Sequence, residues 1–375
     1  MARILAAMSG GVDSSVAAGL LVEQGHEVVG VSLQLTDASQ GGEVSRCCSP
    51  SDLRDARLVA GRLGIPFYVL NEEESFKRKV MDPFFSAYEE GRTPNPCVGC
   101  NSALKFGTLL KLARLLGIDR VATGHYARSR VDPATGKTRL LRARDLAKDQ
   151  SYFLFDLDDE QREAALFPLG EMDKEAVYGA AARMDLPVAG KPESQDLCFV
   201  PRGDVRGFLR ARRGEAPSGR IVLMDGTPVG RHDGIRNFTV GQRRGLALSA
   251  RRPLYVIALD ASNNDVVVGE EASLLSRGLT ATRARLHDPR LLAGPFRAEA
   301  RIRSRHGPSP VTARAFAGGR LALRFDEPQR AVTPGQAVAL YQGDLLDGGG
   351  FIESSLLDSP ERPPVDCAGP ESARA

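Results

Sequence analysis

Residues 9–15 read Ser-Gly-Gly-Val-Asp-Ser-Ser and follow directly on the short apolar run 3–7. Two adjacent glycines let the chain reverse tightly and turn its N–H groups toward an anion, and a following helix adds its positive end. Ser9, Ser14 and Ser15 supply hydroxyl donors. Such a turn needs a strand before it and a helix after it, and the sequence continues in that rhythm. Periodicity predicts helices over 14–24, 51–63 (with Ser51 as N-cap), 76–90 and 103–116, and strands over 26–35, 65–70 and 120–123. This alternation predicts a doubly wound α/β fold with a parallel sheet, in which ligands bind at the carboxyl ends of the strands. The only Gly-Lys-Thr, at 136–138, has Val131 where a Walker-type phosphate loop needs its first glycine, and it reads as a hairpin.

Six cysteines, at 47, 48, 97, 100, 198 and 367, are too few for a disulfide scaffold. The apolar residues 4–8 run straight into the Ser-Gly-Gly turn, which predicts no secretory signal, and no apolar run approaches the ~20 residues of a membrane span. A cytoplasmic protein is therefore expected, where clustered cysteines are catalytic or metal-binding. Residues 91–101, GRTPNPCVGCN, predict an extended loop that presents Cys97 and Cys100 just ahead of a helix, a place that favours the thiolate. PESQDLCFV (192–200) presents Cys198 in a second loop, so that cysteines a hundred residues apart can meet over one site. The adjacent pair Cys47-Cys48 lacks the spacing of a second zinc half-site, and no zinc is expected.

The net charge of +3 conceals an asymmetry. Residues 1–200 carry 24 Lys and Arg against 28 acids, residues 201–343 carry 24 Arg, no Lys and 12 acids, and residues 344–375 carry 2 Arg and 7 acids. A block with a net of +12 suggests a polyanionic partner, with an affinity that falls as salt rises. Within it, residues 254–269 predict a hairpin, and alternating stretches from 281 onward predict an antiparallel barrel. ARIRSRH (300–306) places Arg301, Arg303 and Arg305 on one strand face by period two, as a rail for phosphates. With no Trp and 6% aromatic residues, phosphate and shape contacts are expected rather than base stacking. The expected domains are 1–202 (α/β catalytic), 203–272 (central, β-rich) and 273–357 (barrel), followed by a tail at 358–375 of disorder-like composition in which Cys367 is incidental.

The string SGGVDSS resembles the pyrophosphate-binding loop of the N-type ATP pyrophosphatases, which cleave ATP between its α and β phosphates and adenylate a carbonyl oxygen. It is joined by GRTPNP with a following cysteine and asparagine, ATGHYAR (122–128), KDQSYFL (148–154), SQDLCF (194–199), FTVGQRRGL (238–246) and TPGQAVALY (333–341). Together these resemble the bacterial tRNA-specific 2-thiouridylase family, over nearly the whole chain up to about residue 352.

The resemblance implies 2-thiolation of the wobble uridine of tRNA, with ATP and Mg2+ as cofactors and a sulfurtransferase activity. By it, Ala7, Met8, Ser9, Gly10, Gly11, Val12, Asp13 and Ser14 wrap the phosphates, with Asp13 also near the magnesium in a catalytic role. Leu33 borders the adenine, and Gly124 lets the backbone approach ATP. Cys198 carries a persulfide, and Cys100 closes a disulfide with it during turnover. Asn95, Pro96 and Cys97 line the target-base site, while His125, Lys148, Asp149, Gln150 and Gln336 face tRNA beside Arg303 and Arg305. A persulfide donor, a cysteine desulfurase or a sulfur-relay protein, is the expected sulfur source, and a monomer is expected, although the sequence itself names neither. In many relatives position 97 is an acid, so Cys97 and Cys100 admit two assignments; the cysteine followed by Asn101 and a helix is taken as catalytic. Two alternatives stay open: an iron–sulfur thiolase ligated by Cys97, Cys100 and Cys198, and a synthetase of the ligase class with the same loop.

Overall fold

The computed structural model describes residues 1–36, 49–192 and 197–357. Cys47, Cys48, Cys367, residues 193–196 and the tail from 358 lie outside them. The chain forms two compact units, one of residues 1–83, 96–208 and 344–346, the other of 84–95, 209–343 and 347 onward.

The first unit begins with β1 (Arg3–Ala7), α1 (Val12–Glu23), β2 (Glu27–Gln34), α2 (Pro50–Leu63), β3 (Phe67–Asn71) and α3 (Glu73–Phe76). After α4 (Asp82–Glu89), whose residues from Phe84 onward belong to the other unit, it continues through α5 (Pro96–Cys100), α6 (Gly107–Leu115), β4 (Arg120–Ala122), the hairpin β5 (Arg128–Val131) and β6 (Thr138–Leu141), α7 (Asp159–Ala164), β7 (Ala165–Leu166) and α8 (Lys174–Arg183). The predicted parallel sheet is present, in the order β3-β2-β1-β4-β7 with each pairing parallel. Its central strands are buried on both faces, which is why β1 and β2 read as nearly unbroken apolar runs. Val16 and Ala17 of α1, Val59 of α2 and Val177 and Ala181 of α8 pack into one core with Ile4 and Val28 of the sheet. The strand order reverses between β1 and β4, so the loops leaving these two strands diverge and open a crevice at their carboxyl ends.

Local details depart from the sequence reading. The N-cap of α2 is Ser49, not Ser51: Ser49 Oγ accepts from Asp52 N (3.1 Å), Asp52 Oδ2 accepts from Ser49 N (3.1 Å), and Pro50 takes the first helical position. The expected helix 76–90 is interrupted by a π-helical segment, Lys77–Met81. Pro83 has no N–H to offer the carbonyl four residues back and its ring crowds that carbonyl, so the wider turn precedes it. Cys97 and Cys100 do not lie in an extended loop. Pro96, suited to a first helical turn, starts α5 there, and a second π-helical segment, Asn101–Phe106, joins α5 to α6.

The second unit holds α9 from Leu209 onward (Val205–Arg213 in full) and a four-stranded sheet of β8 (Gly219–Leu223), β9 (Pro228–His232), β10 (Tyr255–Asp260) and β11 (Asp265–Gly269). The predicted hairpin is β10–β11, with Asn264 at φ 53° in its turn. Beyond it, β12 (Leu275–Leu286), β13 (Phe296–Arg301), β14 (Ser309–Phe316), β15 (Arg320–Arg330), β16 (Ala337–Gln342) and β17 (Leu345–Leu357) run in the order β12-β15-β14-β13-β16-β17. Pairing of β12 with β17 closes these six antiparallel strands into a barrel around Leu279, Ala300, Val311, Leu323, Val338 and Ile352.

The arginine rail is not formed. β13 ends at Arg301, and 302–306 turn away before Gly307 and Pro308, so period two no longer governs the later arginines. Arg301 is buried and donates to Ser304 O, Arg303 donates to Arg330 O (3.3 Å), and Arg305 is exposed.

Residues 84–95 also belong to this unit. Thr93 N donates to Pro334 O (2.9 Å), Gln336 Nε2 donates to Thr93 O (3.0 Å), and the Arg213 guanidinium lies 5.0 Å from the centre of the Phe85 ring. Among the described residues no helix is long and apolar enough to cross a membrane.

Candidate active site

A cavity of about 380 Å3 opens in the first unit at the carboxyl ends of β1, β2 and β4. Ala7, Met8, Ser9, Gly11, Val12, Asp13 and Ser14 form one wall, with Leu33 from β2 and Gly124 and His125 from the end of β4. Pro96, Cys97 and Cys100 enter from α5, Lys148 and Gln150 from the turn after β6, and Cys198 from the far end of the unit. The three cysteines are thiols, with Cys100 buried and Cys97 and Cys198 half-buried. The phosphate-loop residues and three sulfur atoms therefore share one chamber. Among the described residues no three His, Cys, Asp or Glu side chains are gathered as a metal-ligand set.

The loop is tied together by its own hydroxyls. Ser9 N donates to Ser14 Oγ (3.1 Å), and Ser14 Oγ and Ser15 Oγ donate to Gly11 O (3.2 and 2.8 Å). Gly10 itself does not line the cavity; its φ is +74°, and a Cβ there would run into Asp52 O. Gly124 presses on the start of α1: its Cβ would stand 2.6 Å from Ser14 N and 2.8 Å from Asp13 C. Only hydrogen fits at that crossing.

Two lysines reach the loop from distant parts of the chain. Lys174, the first residue of α8, donates to Asp13 Oδ1 (2.7 Å), which also accepts from Tyr126 Oη (2.8 Å). Its ammonium lies 5.7 and 4.9 Å from the ring centres of Tyr126 and Tyr178. Lys191 donates to Gly10 O (3.0 Å), Asp52 Oδ1 (2.6 Å) and Asp55 Oδ2 (2.7 Å). Burial by itself would lower the Lys191 pKa, but the hydrogen bonds and negative charge of Asp52 and Asp55 outweigh it and raise the pKa above its ordinary value. Lys191 is thus protonated at neutral pH and sits beside the loop in an ion pair with Asp52 and Asp55.

His125 shares a hydrogen bond with Thr123 Oγ1 (2.8 Å) and stacks on Phe106, with Phe167 at its edge. Burial, reinforced by the positive charge of Lys105, pushes its pKa well below the usual histidine value. A neutral imidazole therefore faces the cavity at pH 7. Below about pH 6.5 the unfolded chain takes up a proton that the folded site refuses, so stability falls as pH drops. Replacing His125 with Gln should flatten that acid slope by up to about 1.4 kcal/mol per pH unit. Urea unfolding at pH 5, 6 and 7 measures it; equal slopes in the two proteins would refute the assignment.

Several expected site residues lie elsewhere. Asp149 is buried and does not line the cavity: its Oδ1 accepts from Ala143 N and Ser151 N (3.1 Å each) and shapes the turn that presents Lys148 and Gln150. Gln150 Oε1 accepts from Tyr126 N (3.0 Å) and so fixes the segment after Gly124. Asn95 does not line the cavity, and Arg303, Arg305 and Gln336 are in the second unit. Conversely, Asp52, Lys105, Tyr126 and Lys191 line the cavity, and Lys174 ties down Asp13 on its wall, although no local pattern marks them. Tyr126 stands within ATGHYAR, and that neighbourhood was the one available signal.

Comparison with known proteins covers the same ground. Three family models match consecutive segments: a tRNA methyl transferase HUP domain over residues 2–202, a tRNA methyl transferase PRC-barrel domain over 206–270, and an aminomethyltransferase beta-barrel domain over 276–352. The tRNA-specific 2-thiouridylase MnmA of Geobacter metallireducens is 49% identical over 362 residues, covering 95% of this chain and 98% of that protein. The enzymes of the same name from Geotalea uraniireducens and Moorella thermoacetica are each 49% identical, covering 94% and 93% of this chain and 96% and 99% of their own lengths. With its identity spread over nearly its whole length, the chain belongs to the tRNA-specific 2-thiouridylase family.

Proposed function

We propose that this protein is an ATP-dependent tRNA sulfurtransferase that replaces the 2-oxygen of the wobble uridine with sulfur. The single observation that carries this reading is the shared chamber of the Ser9–Ser14 loop with Cys100 and Cys198. The family-model descriptions speak of methyl transfer, the relatives of thiolation; the presence of thiols beside a phosphate loop favours the second.

The chemistry divides naturally. A uridine 2-oxo group leaves poorly, so its oxygen attacks the α-phosphorus of ATP and pyrophosphate departs. The loop N–H groups and hydroxyls bind the phosphates, with Lys191 on the cavity wall and Lys174 holding Asp13 in place. Asp13 retains exposure to the cavity and is a hard oxygen donor, which suits a magnesium ion held jointly with phosphate oxygens; that ion would spread the charge of the leaving pyrophosphate. Leu33 borders the adenine. Cys198 then carries the incoming sulfur as a persulfide. Its terminal sulfur bonds to carbon 2 and AMP leaves with the C–O electron pair. The Cys100 thiolate attacks Cys198 Sγ, the S–S bond to the base breaks, and its electrons form the C=S of 2-thiouridine. A Cys100–Cys198 disulfide remains, which two electrons from a thiol reductant reopen.

Pro96 and Cys97 would border the target base, and His125, Lys148 and Gln150 would meet the anticodon arm. We place the catalytic, central and barrel domains at 1–202, 203–272 and 273–357, the reaction in the cytoplasm, and the persulfide donor among cysteine desulfurases and sulfur-relay proteins. Incubation with tRNA, ATP, magnesium and a persulfide donor should yield 2-thiouridine with one AMP and one pyrophosphate per sulfur. Thiolation without AMP release, or AMP release without thiolation, would refute the coupling.

A further inference from the structure

Lys105 stands five residues beyond Cys100, is half-buried and lines the same cavity. In a continuous α-helix two such residues would be turned about 140° apart around the axis, and a lysine at 105 would be carried off the cysteine's face. The helix is not continuous. Asn101–Phe106 is π-helical with Cys100 as its N-cap, and the five-residue closure of a π turn brings residues five apart nearly into line. Gly107 accommodates the same wide turn: a Cβ there would stand 2.8 Å from Ser102 O, five residues back. The turn is also braced from outside, since Ser102 Oγ donates to Asp156 Oδ2 (2.7 Å), Gln161 Nε2 donates to Ser102 O (2.8 Å) and Asn101 Nδ2 donates to Phe153 O (3.1 Å).

We propose that this π-helical turn serves to set Lys105 beside Cys100, where its ammonium holds the cysteine as a thiolate ready to attack the sulfur of Cys198. This rests on the reading of Cys100 as the resolving cysteine. Lys105 acts through Cys100 and is a positioning residue. With the thiol already ionised, the attack on Cys198 Sγ needs no base: one S–S bond forms, one breaks, and no proton moves. The other charged and titratable groups around the chamber are consistent with this role. Asp13 is engaged by Lys174 and by Tyr126 Oη, Asp52 by Lys191, Asp156 takes the Ser102 hydroxyl, and His125 is neutral; Lys148, Cys97 and Cys198 are the other titratable groups of the lining.

The test is peptide-resolved alkylation of Cys100 by iodoacetamide against pH, in the full chain, for wild type, Lys105→Met, Lys105→Gln and Lys105→Arg. Loss of the cation should raise the Cys100 midpoint by about one unit in both neutral variants, slowing alkylation about tenfold at pH below the midpoint. Lys105→Arg should keep the wild-type midpoint. An unchanged midpoint in a folded neutral variant, or an equal shift in Lys105→Arg, would overturn the proposal. Thermal unfolding identifies folded variants, and Lys105→Gln serves if Lys105→Met does not fold. Because the readout is ionisation and not thiolation, it stands apart from the failure of the thiolation reading, which Cys100→Ser addresses.

Discussion

Cys198→Ser should abolish 2-thiouridine formation while leaving ATP binding intact, because serine cannot carry a persulfide. Cys100→Ser should be equally inactive over many turnovers but for a different reason. In that variant sulfur still reaches carbon 2, and with Cys100 gone the base remains joined to Cys198 through an S–S bond. A tRNA–protein adduct should therefore accumulate, and dithiothreitol should release thiolated tRNA from it. Cys97→Ser, on the same helix, should retain most activity. Gel shift under denaturing conditions and nucleoside analysis read all three variants. If Cys97→Ser traps the adduct and Cys100→Ser turns over normally, the two cysteines exchange roles. If the protein purified without oxygen holds iron in proportion to activity, the persulfide route itself is wrong.

The second large effect is expected at Gly124. Alanine there would place a methyl group 2.6 Å from Ser14 N, against backbone on both sides, and no side chain can swing aside. The end of β4 and the start of α1 must separate by on the order of 1 Å to restore ordinary contact, and the phosphate loop moves with α1. A displacement on the order of 1 Å costs about 100-fold in a positioned reaction, so AMP release in the presence of tRNA should fall by about two orders of magnitude. Cys100 alkylation should be unchanged, since α5 is not part of that crossing. Normal AMP release in Gly124→Ala would show that the contact is not maintained when ATP binds.

What could be read from the sequence was local or periodic. SGGVDSS identifies a strand–turn–helix by itself, and the β-hairpin at 254–269 needs only its alternation and turn residues. The parallel sheet follows because strand and helix patterns alternate. Lys174 and Lys191 were not legible, since what makes them part of the site is contact with residues 161 and 181 positions earlier. The arginine rail failed because period two holds only while a strand lasts, and pairing of β13 stops at Arg301. Pro50 at the first helical position points to the residue before it, Ser49, as the N-cap, a local signal stronger than the serine at 51. The π turns were invisible for a related reason: Pro83 and Gly107 are each tolerable in several helical geometries, and the sequence does not say which one the cavity side requires.

The grouping of residues 84–95 with the second unit bears on how the protein is made. Phe84, Phe85 and Tyr88 are buried in the finished molecule, yet Arg213, Leu259, Pro334 and Gln336, which hold this segment, follow it by more than a hundred residues. A ribosome adding roughly 5–20 residues per second needs roughly ten to fifty seconds to pass from Asn95 to Gln336. Throughout that interval the nascent chain carries an aromatic segment without its later partners, in the midst of a sheet whose strands are already available to pair. Chaperone dependence should therefore concentrate on this stretch, and a fragment that stops at residue 202 would keep the problem permanently.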